Sequence, residues 1–216
     1  HSIPTMRTSF ICFIFSMLLF GVGCIGIGGD GEVQPTHYYT LKAIDPMDDE
    51  INPDENVIEV GFDQVEVPDY LDRKEIAVRT GENELRYTAR NLWAERPSVS
   101  LQRILTQNIE RQSSKLLSVH ALPWPDHSDP DIVVHLSFQS FEGQEFPGSR
   151  LLLEVSWTVQ STRDGTIYKQ GFFGGNDLKW DKGNYSNLAQ GLSVGLSTVS
   201  QLIANDLDDV VEELWK

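Results

Sequence analysis

The chain has 216 residues, of which 17 are Lys or Arg and 32 are Asp or Glu, for a formal net charge of −15. A surface this acidic repels nucleic acid and anionic lipid headgroups, which argues against a nucleic-acid function. The two cysteines, Cys12 and Cys24, both fall in the first 24 residues, so neither a disulfide framework nor a Cys-based metal site is expected beyond them.

Met6 reads as a start, and residues 1–5 carry no recognisable instruction. Arg7 supplies a positive charge, Phe10 to Phe20 is apolar apart from Ser16, and Gly21 and Gly23 lead up to Cys24. This is the pattern of a secretory signal peptide over residues 1–23. The apolar stretch falls short of the ~20 residues a bilayer span needs. Gly21-Val22-Gly23-Cys24 resembles the lipobox of bacterial lipoproteins, with Gly at the position where Leu is usual. The resemblance implies that the Cys24 thiol is acylated and that cleavage leaves this residue as the new N-terminus. Ordinary secretory cleavage and an uncut membrane anchor are the alternatives. Two or three acyl chains, at ~0.8 kcal/mol per buried CH₂, hold such a protein on a bilayer. Loss of residues 1–23 removes Arg7 alone among the charges and leaves about −16.

Ile25 to Pro35 is glycine-rich and aperiodic, so residues 24–36 read as a lipidated N-terminus and flexible spacer. Gly21, Gly23 and Gly26 spell a G-x-G-x-x-G, but the dinucleotide reading requires a strand before it and a helix after it. From 37 to 216 a single domain is expected, large enough to bury close to 70% of its unfolded surface. His37 to Ile44 predicts a first strand. The acidic run Asp48, Asp49, Glu50, Asp54 and Glu55 lacks the spacing of a calcium loop and reads as a solvated linker. In Val57 to Val67, Ile58, Val60 and Phe62 share one face until Gly61 and Gln64 signal an irregularity, and Pro68 ends the strand. Ile76 and Val78 predict one strand, with Leu85 and Tyr87 in its partner across a turn at Gly81 to Asn83. Trp93 reads as a core-edge anchor or an interface hot spot.

Three words in this region, the tyrosine pair with Thr40 and Leu41, the VPDYLDR of Val67 to Arg73 and the Arg-Asn-x-Trp-Ala-Glu of Arg90 to Glu95, resemble the PqiC-type (YmbA-like) ABC-transport auxiliary lipoproteins. Lys74 stands where that family often has Pro. The resemblance implies a non-enzymatic, lipid-anchored protein on the periplasmic face of the outer membrane. It also implies a membrane-bridging MCE-domain (PqiB-like) partner in lipid transport and self-association into a ring, with no cofactor and no metal. Tyr70, Leu71, Arg73 and Trp93 are the candidate partner-binding residues, and Cys24 is the lipidation site.

Farther along, Leu101, Ile104, Leu105 and Ile109 recur at helical spacing from Ser98 to Lys115, with Pro97 and Ser98 as start signals. Leu116 to Leu122 reads as an extended edge. The loop from Pro123 to Asp131 holds Asp126, His127, Asp129 and Asp131, which invites a metal reading, but nothing at ligand spacing pairs with it, so a solvated acidic loop is expected. Ile132 to Phe141 and Leu151 to Gln160 predict strands. His135 lies on the polar side of the first, solvent-facing or hydrogen-bonded. Asp164-Gly165 marks a hairpin into Thr166 to Phe173, making three adjacent antiparallel strands. Trp180 is expected exposed. Tyr185 to Trp215 predicts a long helix striped by Leu188, Leu192, Leu196, Val199, Leu202, Ile203, Val210 and Leu214. Its acidic end implies fraying or a basic partner nearby.

Gly191, Ser193 and Gly195 form a literal G-x-S-x-G, yet a nucleophile elbow needs a strand, a strained turn and then a helix. A helical stripe runs through these residues instead, and close helix packing at the two glycines explains the spacing better. The fold class expected is α+β: a mainly antiparallel sheet with two long helices packed on one face. Besides the transport component, a periplasmic ligand-binding lipoprotein and an anchored serine hydrolase using Ser193 remain as alternative functions.

Overall fold

The structure, a computed structural model, describes residues 34–46, 57–175 and 178–214. The expected signal segment, Cys24, nearly all of the spacer and the acidic run of 48–55 lie outside the described residues. In chain order the elements are β1 (His37–Tyr39), β2 (Ile58–Phe62), β3 (Glu75–Gly81), β4 (Glu84–Trp93), α1 (Pro97–Gln112), β5 (Leu117–Ala121), β6 (Ile132–Gln144), β7 (Arg150–Ser161), β8 (Ile167–Gly175) and α2 (Tyr185–Leu214).

The strongest alternation in the sequence becomes the centre of the sheet. Along β7 every second residue is buried, with Leu151, Leu153, Val155, Trp157 and Val159 on the inner face. β6 runs antiparallel to it from Ile132↔Ser161 to Gln144↔Arg150, and β8 flanks β7 on the other side. These are the three adjacent antiparallel strands the pattern predicts. The tight turn before β8 forms as expected: Gly165 takes φ +72°, and the Asp164 carboxylate accepts the Thr166 N–H at 3.0 Å.

The other flank of β6 corrects the expectation of a mainly antiparallel sheet. β2 pairs parallel to the start of β6 (Val60↔Ile132 to Phe62↔Val134), and β3 pairs parallel to its end (Val78↔Gly143, Arg79↔Gln144). β5 adds parallel to β2, and β1 adds parallel to β4. Among the described residues four strand pairings are parallel and three antiparallel, so the sheet is mixed. Side-chain alternation reports which face is buried, whichever way the neighbour runs. Strands joined by tight turns could therefore be paired from sequence. Those returning through α1 or a long connection could not.

The expected irregularity after Phe62 is present. β2 ends there, and the chain rejoins β6 at Glu66, where Glu66 N–H donates to Leu136 O and Phe138 N–H donates to Glu66 O. Both helices bury their stripes in one hydrophobic cluster with the inner face of the sheet. In α1, Leu101, Ile104, Leu105 and Ile109 are buried as predicted. In α2 the stripe holds at Leu188, Leu192, Leu196, Val199, Ile203 and Val210 but not at Leu202 and Leu214, which are exposed; Ala204, Leu207 and Val211 are buried as well. A Cβ built on Gly191 would lie 2.4 Å from Leu151 Cδ1, and one on Gly195 would lie 2.5 Å from Leu153 Cδ2. The two glycines let the helix lie close on β7, as the spacing suggests.

Trp180 corrects a second expectation, for it is only 2% exposed. Its ring covers Gly143, where a Cβ would meet it at 2.7 Å, and its indole N–H donates to Asn184 O at 3.0 Å. Asn184 in turn accepts the Asn187 N–H through its side chain and so caps the start of α2. Of the two expectations for the acidic end of α2, fraying or a basic partner, the second is met: Lys115 on Glu212 (3.1 Å) and Lys169 on Asp209 (2.9 Å). Asp206 accepts the Trp157 indole N–H at 2.8 Å. Among the described residues no helix is long and apolar enough to cross a membrane, and no group of three His, Cys, Asp or Glu could hold a metal ion.

Candidate functional site

The VPDYLDR word forms a turn that links the sheet to α1. Pro68 O accepts the N–H groups of Leu71 (2.8 Å) and Asp72 (3.0 Å), which points the two neighbouring side chains apart. Leu71 enters the core. Asp72 reaches the start of α1, where its carboxylate accepts the Ser98 N–H at 2.9 Å. Arg96, at the helix N-cap, makes no side-chain capping bond, so a carboxylate from a remote turn supplies an acceptor to the positive end of the helix.

Tyr70 is instead half-buried, packed against the edge of the core, and Arg73 is partly exposed. The Tyr70 hydroxyl is 3.4 Å from both Gln139 O and Glu142 Oε2. Glu142 is a buried carboxylate, and Arg79 compensates it by placing Nη2 at 2.6 Å and Nε at 3.0 Å from Oε1. A charge in such a place persists only when paired and hydrogen-bonded. Burial raises the Tyr70 phenol above its ordinary range, with the Glu142 charge adding to the rise and Arg79 opposing it. Burial works against the Arg79 guanidinium, but its bonds to Glu142 outweigh that and leave it raised. Arg73 lies 4.2 Å over the Tyr87 ring and bonds Glu75 at 2.9 Å, which holds the Glu75 carboxyl below its usual range. Tyr70 with the covered Glu142, and Arg73 with Tyr87, thus make two polar, aromatic pairs at the VPDYLDR turn.

Trp93 sits on the inner side. It is buried against Phe141 with ring centroids 5.7 Å apart, and its backbone N–H donates to Lys74 O at 2.7 Å. The next residue, Ala94, donates to Tyr39 O at 2.9 Å, and the Tyr39 hydroxyl donates to Asn91 at 3.0 Å. The three words that carry the family resemblance therefore meet at one corner of the sheet. Of the four candidate contact residues, Leu71 and Trp93 have their side chains in the core, Tyr70 is half-buried at its edge, and Arg73 is partly exposed.

Sequence reasoning missed Arg79, Glu142 and Tyr87. Glu142 lies beyond Phe141, where the predicted strand ends, whereas β6 continues to Gln144. A carboxylate inside an otherwise apolar run, with an Arg on another strand, was the signal available. A groove of about 610 Å³ was also missed. It runs between the segment after β1 and the first half of α2, lined by Tyr38, Lys42, Ala189, Ser193, Val194 and Ser197 among others. The segment is pinned there by bonds from Lys42 N–H to Ser193 Oγ (3.1 Å), from Ile44 N–H to Asn108 (2.9 Å) and from Arg111 to Ile44 O. Ser193 lies within an unbroken helix, and its hydroxyl donates to Ala189 O at 2.8 Å. That is the geometry of a helical serine bonding back to its own turn. His135 is hydrogen-bonded between Asp63 (2.7 Å) and Gln160 (2.6 Å).

The family model described as ABC-type transport auxiliary lipoprotein component matches residues 39–204. No curated protein matches the sequence. Among solved structures, one described only as an uncharacterized protein aligns with a TM-score of 0.63 at 22% identity, covering 81% of this chain and 99% of its own. A DUF330 protein from Xanthomonas campestris aligns with a TM-score of 0.62 at 15% identity, covering 80% of this chain and 98% of its own. At these identities the likeness shows the shared fold.

Proposed function

The chain belongs to the family of ABC-type transport auxiliary lipoprotein components, and from that membership we propose that it works without catalysis, as a lipid-anchored docking piece of an intermembrane lipid transport system. In this reading residues 1–23 are removed, Cys24 carries the acyl chains, and residues 24–36 let the domain reach from the outer membrane into the periplasm. The domain docks or aligns a membrane-bridging MCE-domain partner and associates with further copies of itself in a ring. The observation that carries this reading is the convergence of the three family words on one packed corner. The residues most characteristic of the resemblance build a packed corner, and the half-buried Tyr70 and partly exposed Arg73 at its rim suit contact with a protein. The placement of Ser193 in mid-helix supports the absence of catalysis, because an attacking serine needs a neighbouring base and a strained turn.

Crosslinking in the intact envelope, followed by identification of what is captured, tests the proposal. A membrane-bridging protein is the expected product, and recovery of soluble enzymes alone would sink it. Cys24→Ala is expected to release the domain from membranes, and retention through an uncut Phe10 to Phe20 segment would refute the anchor. The groove beside α2 favours one second reading, a ligand-binding lipoprotein, since its size lies within the range of small-molecule sites. Native mass spectrometry of the protein taken from membranes separates the two readings: a bound small molecule of fixed mass supports the second.

A further inference from the structure

Among the described residues β8 has a neighbour on one side only: it pairs with β7 and with no other strand. A free strand edge presents unpaired N–H and C=O groups, and proteins ordinarily blunt it with proline, outward charge or short length. Apart from a register shift at Tyr168, near its start, β8 does none of these. It is nine residues long, IYKQGFFGG, without proline or acid. Its one charged side chain, Lys169, is engaged with Asp209 on α2. Register with β7 puts Phe172 opposite Ser156 and Ile167 opposite Gln160, on the outer face, where they are 63% and 53% exposed. Gly171 is required on the inner face, since a Cβ there would lie 2.0 Å from the Trp157 ring.

What fits this edge follows from length and charge. The other open edges, β5 and β1, offer five and three residues, so only another β8 matches nine. None of these three edge strands contains Asp or Glu, in a chain that carries 32 of them. Two copies can therefore approach along β8 without opposing carboxylates, which directly across a strand pair would be destabilising. We propose that β8 pairs antiparallel with β8 of a second copy across a two-fold axis, so that the sheet continues through both molecules and the two Phe172 rings pack together on the outer face. Directly opposed residues in an antiparallel pair share a face, so such a contact is self-complementary and closes at two copies. The inference rests on the self-association proposed above and adds to it a second, two-fold contact. A ring closed head to tail uses other surfaces, so the two can fail separately.

The test uses the full-length, lipidated protein in native membranes. Single substitutions Phe172→Cys on β8 and Val99→Cys, at an exposed position of α1, are oxidised and compared with the parent chain. Opposed β residues bring Cα atoms to about 4.5–5.5 Å, within disulfide range, so at least about tenfold more covalent dimer is expected from Phe172→Cys. Native mass spectrometry of the detergent-solubilised Phe172→Lys variant is expected to show half the copies per assembly. If neither crosslink nor copy number responds while the parent remains oligomeric, the β8 contact is overturned and self-association stands. If the parent is monomeric throughout, both fall.

Discussion

Replacing Arg79 by Met would leave Glu142 as an unpaired charge inside the fold. The Glu142 side chain is 0% exposed and that of Arg79 23%, so solvent screens the pair little. Breaking a buried pair by removing one partner costs about 3–5 kcal/mol. The Tyr70 hydroxyl at 3.4 Å and the Phe141 N–H at 3.3 Å still donate to the other carboxylate oxygen, which places the expected loss near the lower end, about 3 kcal/mol. For a domain of this size that lowers the melting temperature by roughly 6–12 °C. The double variant Arg79→Met, Glu142→Leu removes both the charge and its desolvation cost, and should return to within about 1 kcal/mol of the parent. Urea denaturation followed by tryptophan fluorescence reads all four members of the cycle. A single-variant loss under about 1 kcal/mol, or a double variant as unstable as the single, would refute the account of this pair.

Gly191→Ala gains about 1 kcal/mol of helix propensity but sets a methyl 2.4 Å from Leu151. Net destabilisation is expected, partly relieved by Leu151→Ala, and a more stable variant would mean the helix does not depend on that close approach. The raised Tyr70 phenol contributes stability that is present below its ordinary range near pH 10 and lost as pH rises through its folded value; Tyr70→Phe should therefore flatten the alkaline limb of a stability-against-pH curve. Asp164 behaves oppositely. Its carboxyl is held low chiefly by the Thr166 N–H, so its contribution exists above the usual carboxylate range and fades in acid, and Asp164→Ala should lose that acid dependence. Ser193→Ala removes an acceptor for the Lys42 N–H, for about 1 kcal/mol, and should leave transport intact. Loss of transport in a folded Ser193→Ala protein would revive the hydrolase.

From the sequence alone one could read which residues go inward and where the chain turns. The alternation of Leu151 to Val159, the stripes of α1 and most of α2, the Asp164-Gly165 turn and the helix contact at Gly191 and Gly195 are all local, and periodicity or steric demand reports them directly. The family words were legible too, although only as words. Tertiary structure alone decided that β2 and β3 lie parallel to β6 and β1 parallel to β4, because backbone pairing is made with residues far along the chain and leaves no mark on side-chain order. It decided that Trp180 is buried, since the space is created by Gly143 on another strand. It also brought Tyr39, Lys74 and Trp93 to one corner and set Arg79 against Glu142 across 63 residues. A charge's partner and a ring's cavity are properties of pairs, and a linear pattern specifies each member without saying which other one it will meet.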